Sequence, residues 1–199
     1  MSEKELKLAE FIWEGSSDTL RFALLIHDLD FLSDAGKRIL DEILKEDNHL
    51  FLRVVLTQCA GVLDIRSTDG GTLLHSAAFF KATRCVQVLL ENGMDPNLAD
   101  DTGNVPLFYS CMHAQASIML VLLEFGANPN AKCNLGRTAI HHAAAKGSVT
   151  CISLLVQEGA DINARDDKGL TALEVAEFKK NKITAEFLRK NIAVQQDGR

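Results

Sequence analysis

Short apolar runs return along this chain at a fixed interval, each set off by a glycine and a polar residue. Gly70, Gly103, Gly136 and Gly169 stand 33 residues apart, and two positions after each comes Thr72, Val105, Thr138 or Thr171. The registered segments read G-G-T-L-L-H, G-N-V-P-L-F, G-R-T-A-I-H and G-L-T-A-L-E. The period returns downstream in Leu89, Leu122, Leu155 and Leu188, in Gly93, Gly126 and Gly159, and in Asn97, Asn130 and Asn163. A repeat of this length, with a turn and two helices, is the unit of a solenoid whose core is buried only between neighbours. The glycines follow polar stretches such as D-D-T and D-D-K, where a hairpin tip needs a positive φ that a side chain would penalise. The Thr caps the first helix, and the apolar pair behind it is its buried side.

These segments resemble the ankyrin repeat, whose pattern runs D-x-x-G-x-T-P-L-H-x-A-A and then closes a second helix with L-L-x-x-G-A-x-x-N. Asn134 to Asp166 carries the pattern most fully, with Ala143, Ala144, Gly147 and the run LLVQEGADINARD from Leu154. The resemblance covers residues 67–191 and implies an all-α ankyrin-repeat solenoid of stacked helix-turn-helix units with β-hairpin-like loops. Four clear repeats are expected at 67–99, 100–132, 133–165 and 166–191, followed by a flexible tail at 192–199. His75 and His141 match the last letter of T-P-L-H, a histidine expected to satisfy backbone and Thr hydroxyl groups rather than to catalyse, since a buried polar group needs a partner. The second repeat departs most, with Phe108 for His, Ser110 and Cys111 for the Ala pair and Ala114 for Gly. Its first helix is therefore expected to be shortened or displaced, as in ankyrin-type inhibitors of cyclin-dependent kinases.

Residues 1–66 read as degenerate N-terminal helical pairs, either capping helices or divergent repeats. Gly147 closes the first helix of its repeat, and steps of 33 back from it fall on Ala114, Lys81, Asn48 and Gly15. Gly and Asn tolerate a left-handed turn best. The stretch around Gly15 reads as helix, turn, helix, with Ser2 and Glu5 as a capping box. The stretch around Asp47 and Asn48 reads the same way, shifted by one residue, with Leu52, Val55 and Leu56 on the second helix.

Composition narrows the function further. Formal charge is −6, and residues 1–66 hold 13 acids against 8 bases, so an electrostatic nucleic-acid footprint is not expected. The one basic cluster, Lys179, Lys180, Lys182, Arg189 and Lys190, reads as the solvated face of a terminal capping repeat. With no signal peptide and no long apolar run, neither secretion nor a membrane partner is expected. The five cysteines, Cys59, Cys85, Cys111, Cys133 and Cys151, show no C-x-x-C spacing and no metal pattern, which suits a reducing cytoplasmic or nuclear compartment. Cys133 stands at a hairpin tip and is expected to be exposed.

No phosphate-binding, dinucleotide, zinc-protease or nucleophile-elbow motif occurs, so an enzyme, a cofactor and a small-molecule substrate are not expected. Asp100 with Asp101 and Asp166 with Asp167 are paired carboxylates, yet on open hairpin tips they would lack a cleft to tune them. His142 is expected on the outer side of the first helix.

The resemblance places recognition on a concave surface made of hairpin tips and the exposed side of each first helix. Carried across by position, it implies protein-binding residues Phe79 and Phe80, then Asn104, Tyr109, Met112 and His113, then Leu135, Arg137, His142 and Lys146, and finally Leu170 and Phe178. Phe79, Met112 and Phe178 share one repeat position, with Ala145 between, so an apolar stripe is expected there. A core role for Phe79, Phe80 and Phe178 is the competing reading. The expected function is a non-catalytic regulatory subunit, adaptor or inhibitor whose protein partner is a kinase, a transcription factor or a complex subunit. The alternative is a structural protein that oligomerises or docks through its acidic N-terminal helices. The resemblance also implies that Asn97 and Asn163, with Leu eight residues before and an acid two before, are candidates for asparaginyl hydroxylation.

Overall fold

The computed structural model describes residues 30–197, and these form ten α-helices with no strand. Two compact units divide the chain between Asp95 and Pro96. The first holds α1 (Asp34–Lys45), α2 (His49–Gln58), α3 (Leu73–Phe80) and α4 (Thr83–Glu91). The second holds α5 (Pro106–Met112), α6 (Ala116–Glu124), α7 (Ala139–Lys146), α8 (Val149–Gln157), α9 (Ala172–Phe178) and α10 (Lys182–Asp197). The last helix thus continues past the repeat boundary expected at 191, through most of the segment expected as a tail.

Each unit repeats one arrangement. Consecutive helices pair as hairpins, first helices pack on first helices (α1 on α3; α5 on α7 on α9) and second on second (α2 on α4; α6 on α8 on α10). The leucines that mark the period, Leu89, Leu122, Leu155 and Leu188, are all fully buried. The small pair that follows the capping position lies against its neighbours: Ala77, Ala78, Ala143 and Ala144 have no exposed surface. Small side chains there let first helices approach closely, and Ser110 and Cys111 fit the same space, equally buried.

The turn inside each helical pair falls where the period placed it, one residue early in the first pair. Asp47, Lys81, Ala114, Gly147 and Lys180 adopt φ of 48°, 66°, 55°, 83° and 61°. Four of the five carry side chains in a left-handed conformation that glycine adopts at no steric cost. Asp47 uses it: its carboxylate accepts the N–H groups of Arg84 and Cys85 at 3.2 and 2.9 Å. That caps α4, whose own N-cap residue, Ala82, supplies no side-chain bond. The same helix-turn-helix therefore extends to α1 and α2, before the first hairpin signature. The turn expected at Gly15 and the capping box of Ser2 and Glu5 lie outside the described residues.

In the second repeat the first helix is shortened by a single residue and is not displaced. α5 is formed and seven residues long, one fewer than α3 or α7, and it packs in line with α7. Its start lacks a capping side chain because Val105 replaces Thr, but Pro106 at the first helical position has φ already set for a helix.

Candidate functional site

The surface in question is built from hairpin tips and first helices. Among the four described hairpins one hydrogen bond recurs, from the N–H of Ser67, Asp100, Cys133 or Asp166 to the carbonyl four residues on, at 2.8–3.0 Å. In the second unit the tips stack: Asn134 N donates to Thr102 O at 3.0 Å, and Asp167 N to Leu135 O at 3.1 Å. Gly136 must be glycine there on two counts, a φ of 68° and a Cβ that would sit 2.8 Å from Asp167 N.

The aspartates that open these hairpins are not the solvent-open pairs expected from the sequence. Asp100 and Asp166 are only 7% and 6% exposed, because each turns inward to bind its own loop. Asp100 Oδ1 accepts Thr102 N, Thr102 Oγ1 and Asn104 N at 2.7–2.9 Å, and Oδ2 accepts Tyr109 OH at 2.8 Å. Burial alone would raise its pKa, but these bonds from Thr102, Tyr109 and Asn104 outweigh it and hold the carboxyl below the usual range. Asp166 accepts Lys168 N and Leu170 N at 2.9 Å each, with Arg137 Nε 3.6 Å from its other oxygen. Cys133 holds the same position and is buried rather than exposed. The loop folds over the side chain there in the three hairpins of the second unit, whereas Ser67 at the same position of the first hairpin is exposed.

The histidines divide by role. His75 and His141 lie under the caps of α3 and α7, where Thr72 N and Thr138 N donate to their Nδ1 atoms at 3.0 and 3.1 Å. Nε2 of His141 then donates to Leu170 O of the next hairpin at 3.0 Å. Glu174 takes over the same cap in the last repeat, accepting Thr171 N at 2.7 Å. His142 does not face outward. Its ring stacks on Phe108, centroids 5.0 Å apart, and Nε2 is cut off from solvent with no hydrogen-bond partner. The cause is the histidine-to-phenylalanine departure at 108, which puts a fully buried aromatic face beside it. Burial first, and then the charges of Arg137 and His141, push the His142 pKa down to about 4.

The remaining implied contact residues separate into occupied and available. Tyr109 and Asn104 are half-buried parts of the Asp100 loop, with Asn104 Nδ2 also donating to Thr102 Oγ1. Arg137 reaches Asp166, and Leu170 is half-buried beside that same loop. Phe80 is half-buried, edge-on to Phe79 at 5.4 Å and with Lys45 Nζ 5.6 Å from its ring centre. Phe79 is 50% exposed, Leu135 57% and Phe178 81%, while Lys146 is exposed and Met112 and His113 are half-buried. Phe178 is therefore not core. In the second unit Met112, Ala145 and Phe178 hold one register position on the packed helices α5, α7 and α9.

Two features were not foreseen. In the first unit a cleft of about 250 Å³ lies between α1 and the hairpin at 66–72, lined by Asp34, Lys37, Asp41 and Arg66 among others. Burial raises the pKa of Asp41 there, against the lowering effect of Lys45. No repeat signature marks α1, so its register with that hairpin could not be written in advance. Asn97 and Asn130 also bridge hairpins through both amide atoms: Nδ2 donates to Gly126 O or Gly159 O at 3.0 and 2.9 Å, and Oδ1 accepts Asn128 N or Asp161 N at 2.7 and 2.8 Å. Asn163 is exposed, with its backbone N–H on Asp161 Oδ1.

No group of three or more His, Cys, Asp or Glu side chains able to hold a metal occurs among the described residues. No helix among them is long and apolar enough to cross a membrane.

Comparison with known proteins agrees with this architecture. Residues 14–133 and 107–197 match the family described as Ankyrin repeats (3 copies). The chain belongs to the ankyrin-repeat family, whose members are in general protein–protein interaction modules and not enzymes. It is also 33% identical over 111 residues to "SH3 and multiple ankyrin repeat domains protein 1" of Homo sapiens, and equally so to the proteins of that name from Mus musculus and Rattus norvegicus. The match covers 53% of this chain and 5% of each relative, so the shared part is repeat and not whole protein.

Proposed function

We propose that this chain is a non-catalytic regulatory subunit, adaptor or inhibitor that holds a protein partner against its hairpin tips and first helices. The observation that carries the reading is the exposure of Leu135 and Phe178, at 57% and 81%, on elements whose small apolar residues Cys133, Ala172 and Ala176 are buried. Large apolar side chains left in water on a rigid scaffold mark partner sites, and a few such anchors dominate an interface. Met112 and Ala145 extend the surface along α5 and α7, and Lys146 gives it a charged rim. Tyr109, Asn104 and Arg137 support it from beneath by fixing the Asp100 and Asp166 loops. Phe79 is the corresponding anchor of the first unit. A kinase, a transcription factor or a subunit of a larger complex is the partner class. All five cysteines are free and four are buried, which fits a reducing cytoplasmic or nuclear setting.

The test is a Met112→Ala, Leu135→Ser double variant compared with the intact chain for retention of a stoichiometric partner. The expected result is binding weaker by about 1–3 kcal/mol with a near-unchanged melting temperature. Full retention of the partner by the variant would overturn the reading.

A further inference from the structure

We infer that the turn between α9 and α10 is a docking tip for an acidic protein segment that carries an apolar anchor. This rests on the reading of the chain as a protein-binding module and names the partner's chemistry at one place on it. Phe178 and Ile183, at 81% and 78% exposure, are the two most exposed large apolar side chains among the described residues, and they stand five positions apart. Ile183 stands in the register of Arg84, Ser117 and Thr150, which are exposed and polar in the other repeats.

Between the two apolar residues lie Lys179, Lys180 and Lys182 and no acid. Each of the nearest acids has a cation of its own, Glu177 with Arg189 and Glu186 with Lys190, so neither draws on the three lysines. Among the described residues Lys180 and Lys182 make no ion pair, and Lys146, in the register of Lys179 on the packed helix α7, adds a further exposed cation. Beside them a cleft of about 510 Å³ is lined by Lys180, Lys182, Arg189, Glu177 and Glu186. The turn is held firmly: Asn181 Nδ2 donates to Ala144 O and Ala145 O at 2.8 and 3.0 Å, so the lysines project from a fixed base. A peptide can place carboxylates on Lys180 and Lys182, lay an apolar side chain against Phe178 and Ile183, and leave Glu177 and Glu186 facing water. A uniformly anionic surface, lipid or nucleic acid, would meet those glutamates as well, so the complementarity favours a protein segment.

The experiment uses the full chain and short fluorescein-labelled peptides in which Asp and Glu alternate with Leu and Phe. Controls replace the acids by Asn and Gln, or the apolar residues by Ser, and vesicles of phosphatidylcholine and phosphatidylserine test the lipid alternative. The expected result is saturable binding of the acidic apolar peptide, weakening as salt rises from about 50 to about 500 mM. Lys180→Glu with Lys182→Glu, and separately Phe178→Ser with Ile183→Ser, should each weaken it at least about tenfold. Amide shift mapping on the unmodified chain should confine the perturbation to residues 144–146 and 178–189, a readout independent of whether the variants fold. The proposal is overturned by no binding, by equal binding of either control peptide, by shifts elsewhere, or by lysine-dependent binding to vesicles in preference to peptide. Met112 and Leu135 are untouched by these variants, so partner loss in the double variant at those two positions still reports on the wider function by itself.

Discussion

His142 shows how one departure from a repeat pattern is propagated by packing. Phe108 in place of histidine removes a cap from α5 and supplies a ring for His142 to lie on, and the imidazole Nε2 loses water without gaining a partner. Its pKa of about 4 when folded stands below the unfolded value of about 6.5. The neutral ring is thus favoured by folding. The contribution is complete above pH 6.5 and is lost as pH falls from there towards 4. Denaturant melts from pH 7 to pH 5 should show a loss that His142→Leu largely removes, on the order of 1–2 kcal/mol. Equal slopes in the two proteins would show that the ring is solvated. The outward placement expected for this residue followed from its helical position alone, and the sequence pattern has no term for a neighbour's changed ring. The same limit applies to Cys133 and the hairpin aspartates, whose burial depends on how the loop closes over them.

At the scale of elements the pattern was legible wherever it carried chemistry local to the chain. The caps at Thr72, Thr138 and Thr171, the glycine tips and the interior leucines are each dictated within a few residues. The turn at Asp47 was legible too, one residue from the strict period, because a left-handed position leaves its mark even without the hairpin signature. What was not legible was the cleft between α1 and the first hairpin, which depends on two elements with no shared register. Leu155 is the cleanest test of the register: it is fully buried on α8, between the neighbouring helices α6 and α10. Leu155→Ala should cost roughly 2–5 kcal/mol in a urea melt, through lost burial and the cavity left behind. A melt unchanged by the substitution would place α8 in another orientation.

At the scale of the whole molecule, the repeats set a scaffold while a few side chains set what it holds. The family accounts for the stacking of first helices on first helices, and the positions its pattern leaves variable, those of Phe178 and Ile183 above all, mark where the surface was left apolar. A photo-crosslinking residue placed in turn at Ala145 and at Thr150 reads the central claim most directly, since the first lies on a first helix and the second is exposed on a second helix. With a bound partner, the account predicts covalent adducts from position 145 and none from position 150. Adducts from position 150 with none from 145 would contradict it.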